Sequence, residues 1–313
     1  MSHLDNSTIL VTGASGFIGQ HLIERLSAIK GVRLVLLSRE PRESGRAQVT
    51  WVVGSLNDLS GDFWQGAGIS KIDVVFHLGA FTPKVKNDAN SVERVFADNL
   101  LGTQTLLAGL PSEVRTIVFA STIDVYAPPI SNEVLTERSR LEPSSLYGAS
   151  KLFCERLVSV WAEERGCQYV ILRYGHIFGP GEEAYGKLVP LIIRQLLAGK
   201  APTVYGGGLA ERDLLYVQDA VEATIRAAQA ADNVGPVNIV RGESCAIRDI
   251  VQTLVEKSGS PARINYLRDK PDGHSLRFDV SMMRKVLGKW PLVSLEDGLS
   301  EEIIAFKRLS DGQ

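Results

Sequence analysis

The sequence predicts an α/β fold in which helices cover both faces of a parallel, doubly wound sheet. Five short apolar runs rich in β-branched residues alternate with helical apolar patterns between Thr8 and Thr122. Such alternation is typical of parallel strands joined by right-handed helical crossovers. The first apolar run ends in a glycine-rich turn, residues 13–19, which opens a helix. A smaller α/β unit is expected to follow, because the regular alternation stops after residue 173.

The predicted elements alternate without a low-complexity linker. In the first half, strands are expected at residues 8–11, 33–37, 49–53, 73–77 and 116–119, and a long helix at 91–110. In the second half, helices are expected at residues 188–197, 247–257, 281–287 and 295–309 and from Val217 onwards, with strands at 203–205, 237–240 and 263–267. Two interleaved domains are therefore expected, a larger one of residues 1–173 plus 214–242 and a smaller one of residues 174–213 plus 243–313.

Length, charge and cysteine content limit the class of protein. At about 150 residues per domain, 313 residues suggest about two domains. Lys and Arg number 34 against 36 Asp and Glu, and the net charge of −2 argues against nucleic acid as a partner. The three cysteines have no metal-ligand spacing, and no apolar run approaches the ~20 residues of a membrane span. We therefore expect a cytoplasmic protein with no metal site, no membrane association and no signal peptide.

The turn between the first strand and the first helix has the spacing G-x-x-G-x-x-G, at Gly13, Gly16 and Gly19. Glycines permit the tight turn and let a phosphate approach the backbone closely. Backbone N–H groups at the N-terminus of the following helix can then bind a pyrophosphate. A plain strand-to-helix turn is the alternative, but the position between a strand and a helix favours dinucleotide binding.

The end of the second strand predicts which dinucleotide is bound. An acidic residue there would bind the 2′-hydroxyl of the adenosine ribose, whereas an arginine suits a 2′-phosphate. Ser38 replaces the acid and Arg39 supplies a cation, so NADP(H) is favoured and NAD(H) is possible. The alternative is a solvated arginine flanked by Glu40 and Arg42.

Polar side chains also follow other predicted strands, at the edge where ligands of such sheets bind. His77 ends the fourth strand, and we expect a structural role for it in preference to catalysis. Downstream, Tyr147 and Lys151 are four residues apart and share one face of a helix. The lysine ammonium is expected to lower the tyrosine pKa from about 10 towards neutrality, so that the pair can move a proton. A solvated helix face is the alternative.

Five motifs occur in order along the chain. They are Thr12-Gly13-Ala14-Ser15-Gly16-Phe17-Ile18-Gly19, His77-Leu78-Gly79-Ala80, Ser121-Thr122-x-x-Val125-Tyr126, Tyr147-x-x-x-Lys151 and Arg173-x-x-His176-x-Phe178-Gly179-Pro180. Together they resemble the extended short-chain dehydrogenase/reductases, the NAD(P)-dependent epimerase/dehydratase family acting on nucleotide sugars, whose sheet is of the Rossmann type. The resemblance implies that Thr122 is the catalytic hydroxyl, Tyr147 the acid/base and Lys151 its partner.

The resemblance also implies which residues bind the ligands. The cofactor would be bound by Gly13, Ser15, Gly16, Phe17, Ile18, Ser38, Arg39, Leu56, Leu78, Ala80, Tyr147, Lys151 and Tyr174. The nucleoside diphosphate sugar would be bound by Thr122, Asp124, His176, Arg212 and one of Arg268 and Arg277, between which the sequence does not decide. Arg212 suits bidentate binding of a phosphate, with a surface ion pair to Asp213 or Glu211 as the alternative. Asn99 matches an asparagine whose role in the family is mainly structural.

Two departures from the family pattern bear on the reaction. Family dehydratases have Asp-Glu after the threonine, whereas Ile123 cannot protonate a leaving hydroxyl, which argues against dehydration. Asp124 is either a spare acid/base for epimerisation or a cap. His176 stands where many relatives have an asparagine that helps to bind the diphosphate. It is either structural or a ligand, and a 4-ketoreductase of the family also has histidine there.

These features predict an enzyme that oxidises or reduces C4 of a nucleoside diphosphate sugar. We expect reduction of a 4-keto-6-deoxy sugar, because a 2′-phosphorylated cofactor is normally exchanged in each turnover. A 4-epimerase that retains tightly bound NAD is the first alternative, and an inactive NAD(P)-binding module is the second. The resemblance further implies a homodimer, in which the helix at 91–110 pairs with the helix that begins near Tyr147.

Overall fold

The structure is a computed structural model, which describes residues 4–59, 62–84, 87–130, 133–183, 185–230 and 232–311. Within these ranges the strands are β1 (Thr8–Thr12), β2 (Arg33–Ser38), β3 (Val49–Val53), β4 (Val74–His77), β5 (Thr116–Thr122), β6 (Val134–Leu135), β7 (Gln168–Tyr174), β8 (His176–Phe178), β9 (Thr203–Tyr205), β10 (Glu211–Tyr216), β11 (Val234–Ile239), β12 (Ser244–Ala246), β13 (Asn265–Leu267) and β14 (Arg277–Phe278). The helices are α1 (Phe17–Ser27), α2 (Phe63–Gly66), α3 (Val92–Arg94), α4 (Gly102–Gly109), α5 (Leu146–Arg165), α6 (Leu188–Leu197), α7 (Val217–Ala227), α8 (Ile247–Ser258), α9 (Ser281–Leu287) and α10 (Leu295–Asp311).

Seven parallel strands form the central sheet, in the order β11-β7-β5-β4-β1-β2-β3. The chain starts at β1 inside the sheet, winds outwards to β3, and then returns to build the other side from β4. This is the doubly wound arrangement, and the predicted fold class is confirmed. The winding changes direction between β1 and β4, where the strand ends are free to form a ligand-binding crevice.

The residues of β1 explain why the sheet carries helices on both faces. Ile9 and Val11 pack into one core cluster and Leu10 packs into another, and all three are fully buried. Side chains of a strand alternate between the two faces, so an apolar run needs a cover on each side. Helices α1 and α7 contribute to the first cluster, and α4 and α5 contribute to the second.

The smaller α/β part of the chain is built from short strands. β8, β10 and β12 form a three-stranded sheet, β9 pairs with β13, and β6 pairs with β14. Helices α6, α8 and α10 pack against one another beside these strands. The division into residues 1–173 plus 214–242 and 174–213 plus 243–313 stays a prediction, and the pairing of β6 with β14 crosses it.

The helix predicted at residues 91–110 is confirmed, because residues 92–109 are helical without a break, but its middle is not α-helical. α3 leads directly into a π-helical segment, Val95–Leu101, which α4 follows. The buried Asn99 lies in this wider segment, where it accepts a hydrogen bond from Phe81 N (2.7 Å) and donates to Phe81 O and Ser150 Oγ (3.0 Å each). Segments of this kind contain an extra residue per turn and are frequent at functional sites. The spacing of the apolar residues predicts a helix here, but it does not predict the extra residue per turn of the π-helical segment.

The other boundaries agree with the prediction within three residues. β5 continues to Thr122 because Ala120 and Ser121 extend the parallel pairing with β7. The helices predicted at residues 188–197 and 281–287 are confirmed at the predicted bounds. None of the described helices is both long and apolar enough to cross a membrane.

Candidate active site

A cleft of about 560 Å³ opens at the carboxyl ends of β1, β2, β4, β5 and β7. Its lining includes every residue that the resemblance assigned to the cofactor, namely Gly13, Ser15, Gly16, Phe17, Ile18, Ser38, Arg39, Leu56, Leu78, Ala80, Tyr147, Lys151 and Tyr174. Thr122 lines the same cleft. The parallel sheet brings these distant residues together, because all of its strands end at one edge. Their individual roles stay predictions.

The glycine turn fits the pyrophosphate of a dinucleotide. Gly13 has a φ of +69°, and a Cβ on it would lie 2.7 Å from the backbone nitrogen of Gly79, so a side chain there is excluded. Gly16 N donates to Gly13 O (2.9 Å), and α1 begins at the next residue. Among the described residues no side chain caps this N-terminus. Its first N–H groups are therefore available to an anion at the positive end of the helix dipole.

His77 lies beneath the turn and is fully buried. Its Nδ1 is 2.7 Å from Thr12 Oγ1, its Nε2 is 2.9 Å from Thr103 Oγ1, and Thr12 Oγ1 also accepts a hydrogen bond from Gly79 N (3.0 Å). Burial lowers the pKa of His77 to about 3, and the charge of Lys151 adds to this effect. A neutral imidazole thus joins β1, β4 and α4. Within the described part of the chain, no group of three His, Cys, Asp or Glu could hold a metal ion.

The start of α5 places the predicted tyrosine and lysine in the cleft. Ser145 Oγ accepts a hydrogen bond from Gly148 N (3.0 Å) and caps the helix. A Cβ on Gly148 would clash with the carbonyl oxygen of Asp124. Glycine therefore lets the first turn of α5 pack directly against the segment that follows β5. Tyr147 lies in this turn and Lys151 one turn later.

Burial sets the protonation states of this pair. It raises the pKa of Tyr147 to about 12, while a hydrogen bond with Thr82 acts in the opposite direction and the charge of Asp124 raises the pKa further. Burial also lowers the pKa of Lys151, which is 2% exposed, to about 8. The expectation that the pKa of Tyr147 is lowered towards neutrality is therefore wrong, because burial of the phenol and the charge of Asp124 raise it. Tyr147 therefore carries its proton at neutral pH.

Thr82 is a cleft residue that sequence analysis missed. It lies in the loop after β4, lines the cleft and forms a side-chain hydrogen bond with Tyr147. The predicted hydroxyl, Thr122, accepts a hydrogen bond from Asp124 N (3.2 Å) and caps the short turn that follows β5. Two threonine hydroxyls therefore share the cleft with the tyrosine. The only sequence signal for Thr82 is its position after a strand end, because a loop threonine forms no motif.

A buried network of hydrogen bonds joins the elements that surround the site. The carboxylate of Glu155 on α5 accepts from Ser121 Oγ (2.5 Å) and from Arg173 Nε and Nη2 (2.9 and 2.7 Å). Arg173 Nη1 donates to Tyr126 Oη (3.0 Å), which donates to Asn238 Oδ1 (2.7 Å). A bidentate arginine–carboxylate pair is rigid as well as strong. It joins α5 to β5 and β7 next to Thr122 and one turn after Lys151.

The other predicted substrate residues, Asp124, His176, Arg212, Arg268 and Arg277, lie outside the lining of this cleft. His176 is in β8 beside it. Burial lowers the pKa of His176 to about 4, with further lowering by the charges of Arg212 and of Lys187, which lines the cleft. Its buried Nδ1 has no hydrogen-bond partner among the described residues. Arg268 is exposed in the turn after β13.

Arg212 is held by backbone groups. Its Nη1 donates to the carbonyl oxygens of Glu211 (2.8 Å) and His274 (2.7 Å). The alternative ion pairs are not formed among the described residues, because Asp213 accepts two backbone N–H groups after β11 (2.7 Å each) and Arg277 pairs with Glu211. The guanidinium is therefore positioned without a carboxylate partner, as a phosphate-binding arginine requires.

A parallel sheet with a glycine turn after a central strand, and a Tyr–Lys pair in the same cleft, is typical of NAD(P)-dependent enzymes of the short-chain dehydrogenase/reductase class. The sequence model of the NAD dependent epimerase/dehydratase family matches residues 9–240. The chain belongs to this family, as the motifs indicated.

Three relatives illustrate its range. The uncharacterized UDP-glucose epimerase YtcB of Bacillus subtilis is 30% identical over 97% of this chain and 99% of its own. A dTDP-glucose 4,6-dehydratase of Actinoplanes is 30% identical over 96% of this chain and 97% of its own. The crystal structure of UDP-glucuronic acid 4-epimerase from Bacillus cereus, in complex with UDP-glucuronic acid and NAD, is 28% identical with a TM-score of 0.83, over 96% of this chain and 99% of its own.

Proposed function

We propose that this protein is an NAD(P)-dependent 4-epimerase of a nucleoside diphosphate sugar. The observation that carries the proposal is the placement of Tyr147, Lys151 and Thr122 in the cleft that begins at the glycine turn. The similarity to 4-epimerases supports epimerisation over the reduction that the sequence favoured. Ile123 still argues against the dehydratase chemistry of other relatives, because it has no proton to give to a leaving hydroxyl.

The chain supplies the proton chemistry of this reaction. When bound, the dinucleotide supplies a hydride acceptor and donor for C4 of the sugar. Tyr147 exchanges the proton of the C4 oxygen, and the hydroxyls of Thr82 and Thr122 orient that oxygen. The protonated form of Lys151 favours the phenolate form of Tyr147, which opposes the effect of burial on the tyrosine pKa. The chemistry needs no further acid.

The substrate diphosphate is assigned to the basic side chains beside the cleft. Arg212 is fixed by two backbone carbonyl groups, and the pKa of its neighbour His176 is lowered to about 4. We propose that Arg212 binds the phosphate oxygens and that the neutral His176 donates or accepts one hydrogen bond beside them. Arg277 is engaged with Glu211, and Arg268 is exposed, so the choice between them stays open.

A 4-keto-6-deoxy sugar 4-reductase that uses NADPH is the second candidate. The observation that favours it is Arg39, which lines the cleft at the end of β2 where Ser38 replaces an acid. The cited epimerase structure contains NAD. The preference for NADP(H) that Arg39 predicts therefore remains a proposal, and it distinguishes the two candidates.

One set of incubations tests the proposal. Purified protein is mixed with UDP-glucose, UDP-N-acetylglucosamine or UDP-glucuronic acid in the presence of NAD, and the products are separated by chromatography. We expect the C4 epimer of at least one sugar. Parallel incubations contain NADPH and a 4-keto-6-deoxy sugar nucleotide. Oxidation of NADPH without epimer formation would identify the reductase, and no reaction in either set would contradict both candidates.

We also propose that the protein is a homodimer. Large apolar side chains are exposed on the two helical regions that the family likeness assigns to the interface, namely Val92, Phe96, Leu101, Leu146 and Phe153. Burial of these side chains against a second copy would stabilise a four-helix interface. Sedimentation velocity tests the assembly, and a monomer at micromolar concentration would contradict it. The cytoplasmic location stays a prediction.

A further inference from the structure

The wall of the cleft opposite α1 carries a lysine that neither a motif nor the resemblance indicated. Lys187 precedes α6 and lines the cleft together with Phe17 and Tyr185. Its Nζ lies 5.4 Å from the ring centroid of Phe17 and 5.1 Å from that of Tyr185. Since Phe17 is the first residue of α1, this cation stands close to the proposed anion site.

The same ammonium also contacts a buried carboxylate. Its Nζ lies 2.9 Å from Glu182 Oε2 and donates to Ile177 O (3.2 Å). The side chain of Glu182 is 1% exposed, whereas that of Lys187 is 46% exposed. The ammonium therefore bridges the protein interior and the cleft, and its open side is free to accept an anionic partner.

Glu182 has a second acidic neighbour, Glu302 of α10, which is fully buried. Burial raises the pKa of both, and the charge of Glu182 raises that of Glu302 further, to about 9, whereas the hydrogen bond with Glu302 and the charge of Lys187 act to lower the pKa of Glu182. At neutral pH Glu302 is therefore protonated. Such a pair tolerates loss of the lysine contact better than a lone buried carboxylate, because a proton can be taken up in its place.

Lys187 also lies near the proposed diphosphate-binding arginine. The charges of both Lys187 and Arg212 lower the pKa of His176, so both cations are close to this histidine. Lys187 is therefore near the start of α1, where the diphosphate of the dinucleotide is proposed to bind, and near His176 and Arg212, where that of the nucleotide sugar is proposed to bind.

We propose that Lys187 is a diphosphate-binding residue, which exchanges its contact with Glu182 for phosphate oxygens when a ligand enters the cleft. This inference rests on the proposed function, because it takes the cleft to bind a dinucleotide and a nucleoside diphosphate. Both the dinucleotide and the nucleotide sugar contain a diphosphate group. The titrations described next determine which of the two Lys187 binds.

Isothermal titration of NAD, NADP, UDP and uridine into the full-length protein tests the inference. A hydrogen bond to a charged group contributes enough to change affinity about 10- to 100-fold. We therefore expect Lys187→Met to weaken binding of UDP, or of the dinucleotides, by this factor. Uridine binding should not change, because uridine has no phosphate. Lys200→Met, which removes an exposed lysine from the turn after α6, is the matched control.

Two further variants separate ligand binding from folding. Lys187→Met leaves Glu182 buried without its cation, so the double variant Lys187→Met/Glu182→Gln is measured as well. Glu182→Gln alone releases the ammonium and should tighten binding of the same diphosphate several-fold. In the Lys187→Met background the glutamine should have no such effect.

The outcomes separate this inference from the proposed function. If wild-type protein binds the ligands but the double variant binds them equally well and Glu182→Gln changes nothing, Lys187 is only structural and the inference is overturned. Equal weakening of uridine and UDP would overturn it too. Failure of the wild-type protein to bind NAD, NADP and UDP would instead overturn the proposed function, and this inference with it.

Discussion

The cofactor half and the substrate half of the site differ in how closely the structure follows the sequence. All the residues assigned to the cofactor line one cleft, whereas of the predicted substrate residues only Thr122 does. The cofactor half is built from the strand ends of a single sheet, the segments that follow them and the start of α5. The substrate half, Asp124, His176, Arg212, Arg268 and Arg277, comes from short strands and turns that are far apart in sequence. The positions of the cofactor residues follow from the order of the strands in the sheet. The positions of the substrate residues depend on contacts between segments that are distant in sequence.

Removal of the tyrosine hydroxyl should have the largest effect. Tyr147→Phe should lower kcat by about 10²- to 10⁴-fold, the usual contribution of a general acid/base, while dinucleotide affinity changes much less, because the other residues assigned to the cofactor remain. Steady-state kinetics of epimer formation measure the change. Tyr169→Phe is the control, because that hydroxyl contacts Glu163 far from the cleft. Equal activity of Tyr147→Phe and wild type would show that the catalytic role predicted for Tyr147 is wrong, although it lies in the half of the site that follows the sequence more closely.

The rigidity of the two halves can be compared with two arginine variants. Arg173→Met leaves Glu155 buried without its partner and should lower the free energy of unfolding by about 3–5 kcal/mol. Arg277→Met removes a pair with Glu211 in which both side chains are partly exposed, and should lower the free energy of unfolding by no more than about 1 kcal/mol. Urea denaturation measures both. Similar losses in the two variants would show that the cofactor half is not the more rigid one.

The pH dependence of stability separates His77 from His176. The pKa of His77 is lowered to about 3 and that of His176 to about 4, whereas an unfolded histidine has a pKa of about 6.5. Between these values the unfolded state binds more protons, so each histidine causes stability to be lost as pH falls below about 6.5. Each contributes up to about 1.4 kcal/mol per pH unit. The loss continues to pH 3 for His77 and ends near pH 4 for His176.

Replacement of each histidine by glutamine checks this. Urea denaturation between pH 3 and 7 should give a shallower pH dependence for His77→Gln and for His176→Gln than for wild type. The comparison uses slopes, so any change in stability at neutral pH does not affect it. An unchanged slope in His77→Gln would show that the histidine is already protonated in the folded protein.

The smallest expected effect concerns the choice of cofactor. Arg39→Ser should weaken NADP binding by about 5-fold and leave NAD binding unchanged, because the arginine is exposed and its pairing with a phosphate is screened by solvent. Titration of both dinucleotides measures the ratio. Equal effects on NAD and NADP would remove the argument for a 2′-phosphate and with it the main support for a reductase.

Some features followed from the sequence for physical reasons. Short apolar runs rich in β-branched residues indicate strands such as Val49–Val53, and a positive φ with no room for a side chain requires glycine at position 13. Both signals are local. The π-helical segment, the contact of Thr82 with Tyr147 and the pair of Lys187 with Glu182 depend on which side chains meet across the fold, and a single sequence contains no local pattern for that.

The pKa of Tyr147 also depends on contacts across the fold, which a single sequence does not show. The spacing of Tyr147 to Lys151 is local and was predicted, but the burial that raises the tyrosine pKa depends on how the whole chain folds. Likewise, the family resemblance assigns Arg212 to a phosphate, whereas its two backbone acceptors, on the neighbouring Glu211 and on His274 in a distant loop, depend on the fold.

The fate of the hydrogen at C4 tests the central claim most directly. UDP-glucose labelled with deuterium at C4 is incubated with the protein and NAD, and the product is examined by NMR and mass spectrometry. If hydride leaves and returns to the same carbon while Tyr147 moves only the hydroxyl proton, the product is the C4 epimer with its deuterium retained. Loss of the deuterium to solvent, with inversion at C4, would contradict the account.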